Sequence, residues 1–133
     1  LLLFFYMANL IELKSFFDKC GSLSVLEDFQ IPFTIKRFFH IYDVDDSVRG
    51  GHRHQSTFQA AICIKGACKI YTNNGRGERL VFDLNTPARC LLLEPTDWHQ
   101  MFDFARGTIL LVAASSNFNI NDYVFEKYEE DIV

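Results

Sequence analysis

Apolar residues gather along this chain in short runs, many alternating with polar residues, and turn-forming residues separate the runs. Alternation of period two sends successive side chains to opposite faces of a strand. The pattern predicts strands over 10–14, 22–27, 33–42, 51–64, 67–72, 78–83, 89–94, 98–104 and 108–114. Breaks fall at Lys19-Cys20-Gly21, over 43–49, at Lys65-Gly66, across Asn73-Asn74-Gly75-Arg76-Gly77, at Asn85-Thr86-Pro87 and at Ala105-Arg106-Gly107. Asn74-Gly75 is a strong hairpin signal, because both residue types tolerate positive φ. Short strands at this spacing predict an all-β sandwich or barrel. A helical look is confined to 122–130, where Val124, Phe125 and Tyr128 share one side and acids the other, so a short C-terminal helix is expected. No linker or repeat interrupts the 133 residues, which read as one domain.

Composition narrows what such a domain can do. A hydrophobic fraction of 49% with fourteen Phe implies a well-filled interior and excludes disorder. Net charge is −4, and the thirteen Lys and Arg form no basic run, which argues against a nucleic-acid polymer as partner. A nucleotide remains open, since it needs only one or two Arg and an aromatic face. Cys20, Cys63, Cys68 and Cys90 share no motif spacing, and two lie in apolar runs. They read as buried free thiols of a reducing compartment. Residues 1–6 are apolar but lack a basic flank and are too short to span a bilayer. They read as an extra strand within residues 1–9 or as upstream material, with Met7 an alternative start. A cytoplasmic protein without membrane attachment is expected.

The most informative segment is Arg49-Gly50-Gly51-His52-Arg53-His54-Gln55-Ser56-Thr57-Phe58-Gln59. On a strand, His52 and His54 point the same way. Continuing that parity puts Phe58, Ala60, Ile62 and Ile64 on the same face, which would make it the barrel interior. Imidazoles in an apolar interior are costly unless partnered. The bland reading is a pair of core histidines satisfied by backbone groups; two on one face behind a glycine pair look instead like a site. A second piece, Pro95-Thr96-Asp97-Trp98-His99, follows the apolar run 90–93.

Together, a glycine followed by His-x-His and a distant Pro-x-x-x-His resemble the two motifs of the cupin superfamily, which implies a jelly-roll antiparallel barrel. Metal cupins carry a glutamate four residues after the second histidine, where this chain has Phe58. That leaves at most three neutral imidazoles for a divalent ion. The segments Ile31-Pro32-Phe33-Thr34-Ile35-Lys36-Arg37, Arg49 to His54 with Gln59, and Trp98-His99-Gln100-Met101-Phe102-Asp103-Phe104 narrow the match. They resemble the dTDP-sugar 3,4-ketoisomerases, over about residues 10–128. The resemblance implies an isomerase that turns dTDP-4-keto-6-deoxyglucose into a 3-keto sugar for O-antigen and related glycans. It further implies no cofactor and no metal, a catalytic histidine pair, and a homodimer with N-terminal strand exchange. Relatives carry a tyrosine about twelve residues before the first histidine, where this chain has His40. Either His40 or Tyr42 takes that tyrosine's role, or the alignment slips there.

Moving a ketone from C4 to C3 removes the C3 proton, passes through an enediolate and returns a proton to C4. An imidazole titrating near neutrality suits both transfers. His54 is the expected base, with His52 as shuttle or oxyanion donor. Arg49 leads as the pyrophosphate ligand, because adjacent glycines admit a ligand close to the backbone. Arg37 is a weaker candidate. Trp98 with His99 could floor the sugar site, and Gln59, on the opposite parity, could reach a partner subunit. The competing readings are a three-histidine metal cupin (His52, His54 and His99) resembling a dioxygenase, a non-catalytic sugar-nucleotide-binding cupin, and a sugar-nucleotide 3,5-epimerase.

Overall fold

The computed structural model describes residues 8–129; the apolar residues 1–6 therefore lie outside the described part. Strands β1 (Asn9–Glu12), β4 (Arg37–Ile41), β6 (Gln59–Lys65), β9 (Arg89–Leu93) and β11 (Ile109–Ala114) form one sheet in the order β1-β9-β6-β11-β4. Strands β5 (Arg49–His54), β7 (Cys68–Asn73), β8 (Arg79–Leu84), β10 (Trp98–Phe102) and β12 (Tyr123–Val124) form the second, ordered β12-β5-β10-β7-β8. All pairings are antiparallel. A separate hairpin, β2 (Lys14–Asp18) with β3 (Gly21–Val25), leaves Phe16, Phe17 and Leu23 exposed. Its first strand was not expected.

The inner faces of the two sheets meet in a core of Ala61, Cys63, Ile70, Leu84, Leu91, Leu93, Met101, Leu110 and Val112. The first sheet is apolar on its other face too. There Ala60, Cys90, Leu92 and Ala113 are covered by Leu13, Leu26, Ile31, Phe33 and Ile35. Burial on both faces explains why 90–93 reads as one continuous apolar run. It also corrects an expected parity. The chain leaves the second sheet after His54 and enters the first at Gln59, so alternation does not carry across 55–58. Ala61 and Cys63, not Ala60 and Ile62, face the interior.

Asn74-Gly75 does turn the chain between β7 and β8, where the Asn73 side chain accepts from the Gly75 amide at 2.9 Å. The four cysteines are free, three of them buried and Cys20 exposed. The expected C-terminal helix is not present in the described residues. Residues Ile120–Asp122 make one 3-10 turn, with the Asn119 side chain accepting from the Asn121 amide, and β12 follows. No helix of the described residues is long and apolar enough to cross a membrane.

Candidate active site

The site is built on β5 where it lies beside β10. Gly50 and Gly51 have φ of +84° and +77°, which glycine adopts without strain. A Cβ on Gly50 would meet the His99 carbonyl at 2.9 Å, so the glycine lets β5 approach β10 closely. His52 then stands directly across from His99, with ring centroids 4.7 Å apart. His54, two residues on, projects from the same face, 5.0 Å from His52 and 6.1 Å from His99. The His52 and His99 rings line a cleft of about 230 Å³ together with Phe39, His40, Ile41, Arg49, Gln59, Met101 and Tyr123, and the His54 ring is buried beside them.

Each histidine is held differently. His99 is fully buried, with Nδ1 3.0 Å from the Asp97 backbone oxygen. Burial, with repulsion from His52, pushes its pKa down to about 3. Burial and the neighbouring His54 push His52 down to about 4, against a bond to the Gly50 backbone. His54 is lowered by burial, opposed by Asp122, whose Oδ2 lies 2.9 Å from Nδ1. Burial would raise the Asp122 carboxyl, but bonds from Thr57, Ser56 and His54 outweigh it and hold it at about 2. The Ser56 amide and hydroxyl each donate to Oδ1 at 2.8 Å, and the Thr57 hydroxyl donates to Oδ2. Nε2 of His54 and of His99 is buried without a protein partner, as are Oε1 of Gln59 and Nε of Arg37.

Several expected residues come together and others do not. His52, His99, Gln59 and Arg49 line one cleft, and His54 is buried next to it with its ring 5.0 Å from that of His52. Gln59 therefore faces the interior rather than a partner. Phe58, expected where metal cupins place a carboxylate, turns outward to stack on Phe33 at 6.1 Å. Arg37 comes from the inward face of β4, close enough for its charge to lower His54. His40 and Tyr42 point outward from β4, exposed and stacked on each other at 5.3 Å. His40 nevertheless borders the cleft beside Phe39 and Ile41, so it keeps its candidacy for the tyrosine's role, whereas Tyr42 does not border it. Trp98 lies on the opposite face of β10 from His99 and is 2% exposed. It does not border the cleft, so it cannot floor a sugar there.

Asp122 and Tyr123 were missed. Tyr123 packs against His52 and His54 at 4.7 and 4.6 Å, and Phe125 lies 6.1 Å from His52. They belong to a C-terminal strap that runs along β5 and is pinned by Tyr128. Its hydroxyl donates to the Thr96 carbonyl at 2.7 Å, and Arg53 lies 4.3 Å from its ring centroid. The sequence signal available was Ser56-Thr57, two residues after His54, a pair of hydroxyl donors suited to holding a carboxylate from elsewhere.

As to metal, His52, His54 and His99 each offer a ring nitrogen within 4.8 Å of the others. The neighbouring group from β6 is the neutral amide of Gln59, and the Asp122 carboxylate is engaged on the far nitrogen of His54.

Two facing antiparallel sheets with histidines inside define a cupin-type fold. Residues 7–131 match the FdtA family model, described as WxcM-like, C-terminal, and the chain belongs to that family. It is 33% identical over 127 residues to the TDP-4-oxo-6-deoxy-α-D-glucose-3,4-oxoisomerase of Aneurinibacillus thermoaerophilus, covering 90% of this chain and 91% of that one. It is also similar to a His-to-Asn variant of a 3,4-ketoisomerase from Thermoanaerobacterium thermosaccharolyticum, solved with TDP-4-keto-6-deoxyglucose. There the TM-score is 0.85 at 38% identity, over 92% of this chain and 90% of that one. A 3,4-ketoisomerase from Helicobacter canadensis gives 0.84 at 36%, over 90% of each chain.

Proposed function

We propose that this chain is a sugar-nucleotide 3,4-ketoisomerase, converting TDP-4-keto-6-deoxyglucose to the 3-keto isomer for deoxyamino-sugar glycan synthesis in the cytoplasm. The observation that carries the reading is the histidine cleft, in a chain that matches ketoisomerases over nine-tenths of its length. The cleft is smaller than the roughly 300–1,000 Å³ of pockets that enclose drug-sized ligands. It suits the sugar ring and leaves the nucleotide at the mouth, where exposed Arg49 meets the pyrophosphate.

In the reaction His54 Nε2 takes the C3 proton. The C–H electrons form the C3–C4 double bond, and O4 becomes an oxyanion. His52, Gln59 and Arg37 supply donors for the enediolate oxygens. The O3 proton passes to O4, and protonation of C4 completes the 3-ketone. A neutral imidazole is what the first step requires, and burial keeps these histidines neutral at physiological pH. Incubation of the protein with TDP-4-keto-6-deoxyglucose, read by NMR, tests the proposal: a 3-keto product is expected, and unchanged substrate would overturn it. The same product assay separates an epimerase or a mere binding module.

The isomerase needs no metal in this reading, because histidines and amides supply both the base and the oxyanion donors. Full activity is therefore expected after exhaustive chelation. Stoichiometric metal whose removal abolishes turnover and whose return restores it would favour the three-histidine metal reading instead.

The functional unit is a homodimer of single-domain subunits. The exposed Phe16, Phe17 and Leu23 of the β2–β3 hairpin are apolar surface that a partner would cover. The β9 edge that receives β1 is the place for an exchanged strand. Sedimentation at micromolar concentration should give a dimer; a monomer would refute this.

A further inference from the structure

We infer that Asp122 is the positioning residue of this site, fixing the His54 ring with its proton on Nδ1 so that Nε2 is the lone pair presented to the sugar. The kinetic consequence rests on the isomerase reading, but the placement of the proton does not.

The three histidines differ in what their other nitrogen meets. His99 meets the Asp97 backbone oxygen and His52 the Gly50 backbone, whereas His54 meets a carboxylate. An ionised carboxylate only accepts, so Nδ1 of His54 must carry the hydrogen and Nε2 must be free. The carboxylate is itself tied down. Oδ1 takes the amide and hydroxyl of Ser56, and Oδ2 takes the Thr57 hydroxyl beside His54. Thr57 is in turn 2.6 Å from the Ser116 hydroxyl, which anchors the clasp on the chain leaving β11. A group held this firmly orients a ring rather than taking up its proton.

The groups facing His54 are His52 on its own strand, His99 from β10, Tyr123 from β12, Arg37 from β4 and Asp122. Burial and Arg37 oppose a positive charge on His54, and Asp122 favours it. Asp122 thus stabilises the imidazolium that forms when Nε2 takes the C3 proton, while remaining ionised throughout. This assigns the base role to His54 over His52, whose partner is a neutral carbonyl.

The test is Asp122→Asn in the full chain. An amide at 122 can donate to Nδ1 and drive the proton to Nε2, removing the lone pair. TDP affinity should be unchanged while kcat falls by roughly 10²–10⁴, the range for a lost general base. The acid limb of the kcat/KM profile should move to lower pH, because the group opposing burial is gone. Nitrogen-15 NMR should show the His54 proton on Nδ1 in the wild type and on Nε2 in the variant, and Asp122→Glu should recover part of the turnover. Near-normal turnover with an unmoved acid limb, or a wild-type proton on Nε2, would overturn the inference. If Asp122→Asn fails to fold, Thr57→Val loosens the clasp without removing the carboxylate. It should lower kcat by letting the carboxylate and the ring it orients move; unchanged kcat would overturn the inference as well. Should the wild type lack isomerase activity, the NMR measurement still decides the tautomer.

Discussion

His54→Asn is expected to lower kcat by roughly 10²–10⁴, the cost of losing a general acid/base, while leaving fold and TDP affinity intact. Asparagine keeps a polar side chain of similar reach, and the proposed pose puts the nucleotide half at the mouth, away from position 54. At about 1.36 kcal/mol per factor of ten, this is roughly 3–5 kcal/mol of transition-state stabilisation. The loss should appear in kcat rather than KM, since the missing interaction forms only as the proton moves. His52→Asn should cost less, because a hydrogen bond to the enediolate can be replaced in part by Gln59, which lines the same cleft. Turnover and TDP affinity measured on one His54→Asn preparation decide the matter. Near-normal turnover would pass the base role to His52 or His40.

Acid should destabilise the fold while most of its carboxylates are still ionised. Unfolded imidazole titrates near 6.5, whereas burial pushes His99 down to about 3 and His52 to about 4. Because these folded values are depressed, the unfolded chain takes up protons that the folded one refuses. The histidines' contribution is complete above the unfolded pKa and is lost as pH falls through about 6.5 towards the folded values. Between about pH 7.5 and 5 the loss is about 2 kcal/mol for His99 and less for half-buried His52. Asp97 acts in the opposite sense: burial raises it to about 6, so it protonates first in the fold. It offsets about 1 kcal/mol over the same window. A net loss of about 2 kcal/mol should appear as a lower urea midpoint at about pH 5 than at pH 7.5, at constant ionic strength. Equal midpoints would show that the cleft charges without unfolding.

Much of the architecture was legible because alternation, glycine turns and Asn74-Gly75 are local signals. Strands β3 to β11 fall within or beside the expected runs, and the His52–His54 face follows from strand parity. The failures share one cause: parity holds only inside a single strand. Extending it from His54 through 55–58 misplaced Ala60, Ile62, Phe58 and Gln59, because the chain changes sheets there. Tyr42 was weighed by its distance from the histidines along the chain, but the inward face of β4 belongs to Arg37, Phe39 and Ile41. Asp122 could not be found by periodicity at all. It sits in a single 3-10 turn before a strand of two residues, and its acidic neighbours imitate the polar side of a helix. Its partner lies 68 residues earlier in the chain.

The strap that brings Asp122 to His54 also changes where the working unit ends. Both five-stranded sheets apart from β12 are complete once β11 closes at Ala114, and a chain cut there would keep the hydrophobic core. It would lose the carboxylate behind His54, the tyrosine against both histidines and the Tyr128 anchor on Thr96. For anyone trimming or fusing this protein, the boundary that keeps the core and the boundary that keeps the histidine surroundings are therefore different, and the second lies beyond Tyr128.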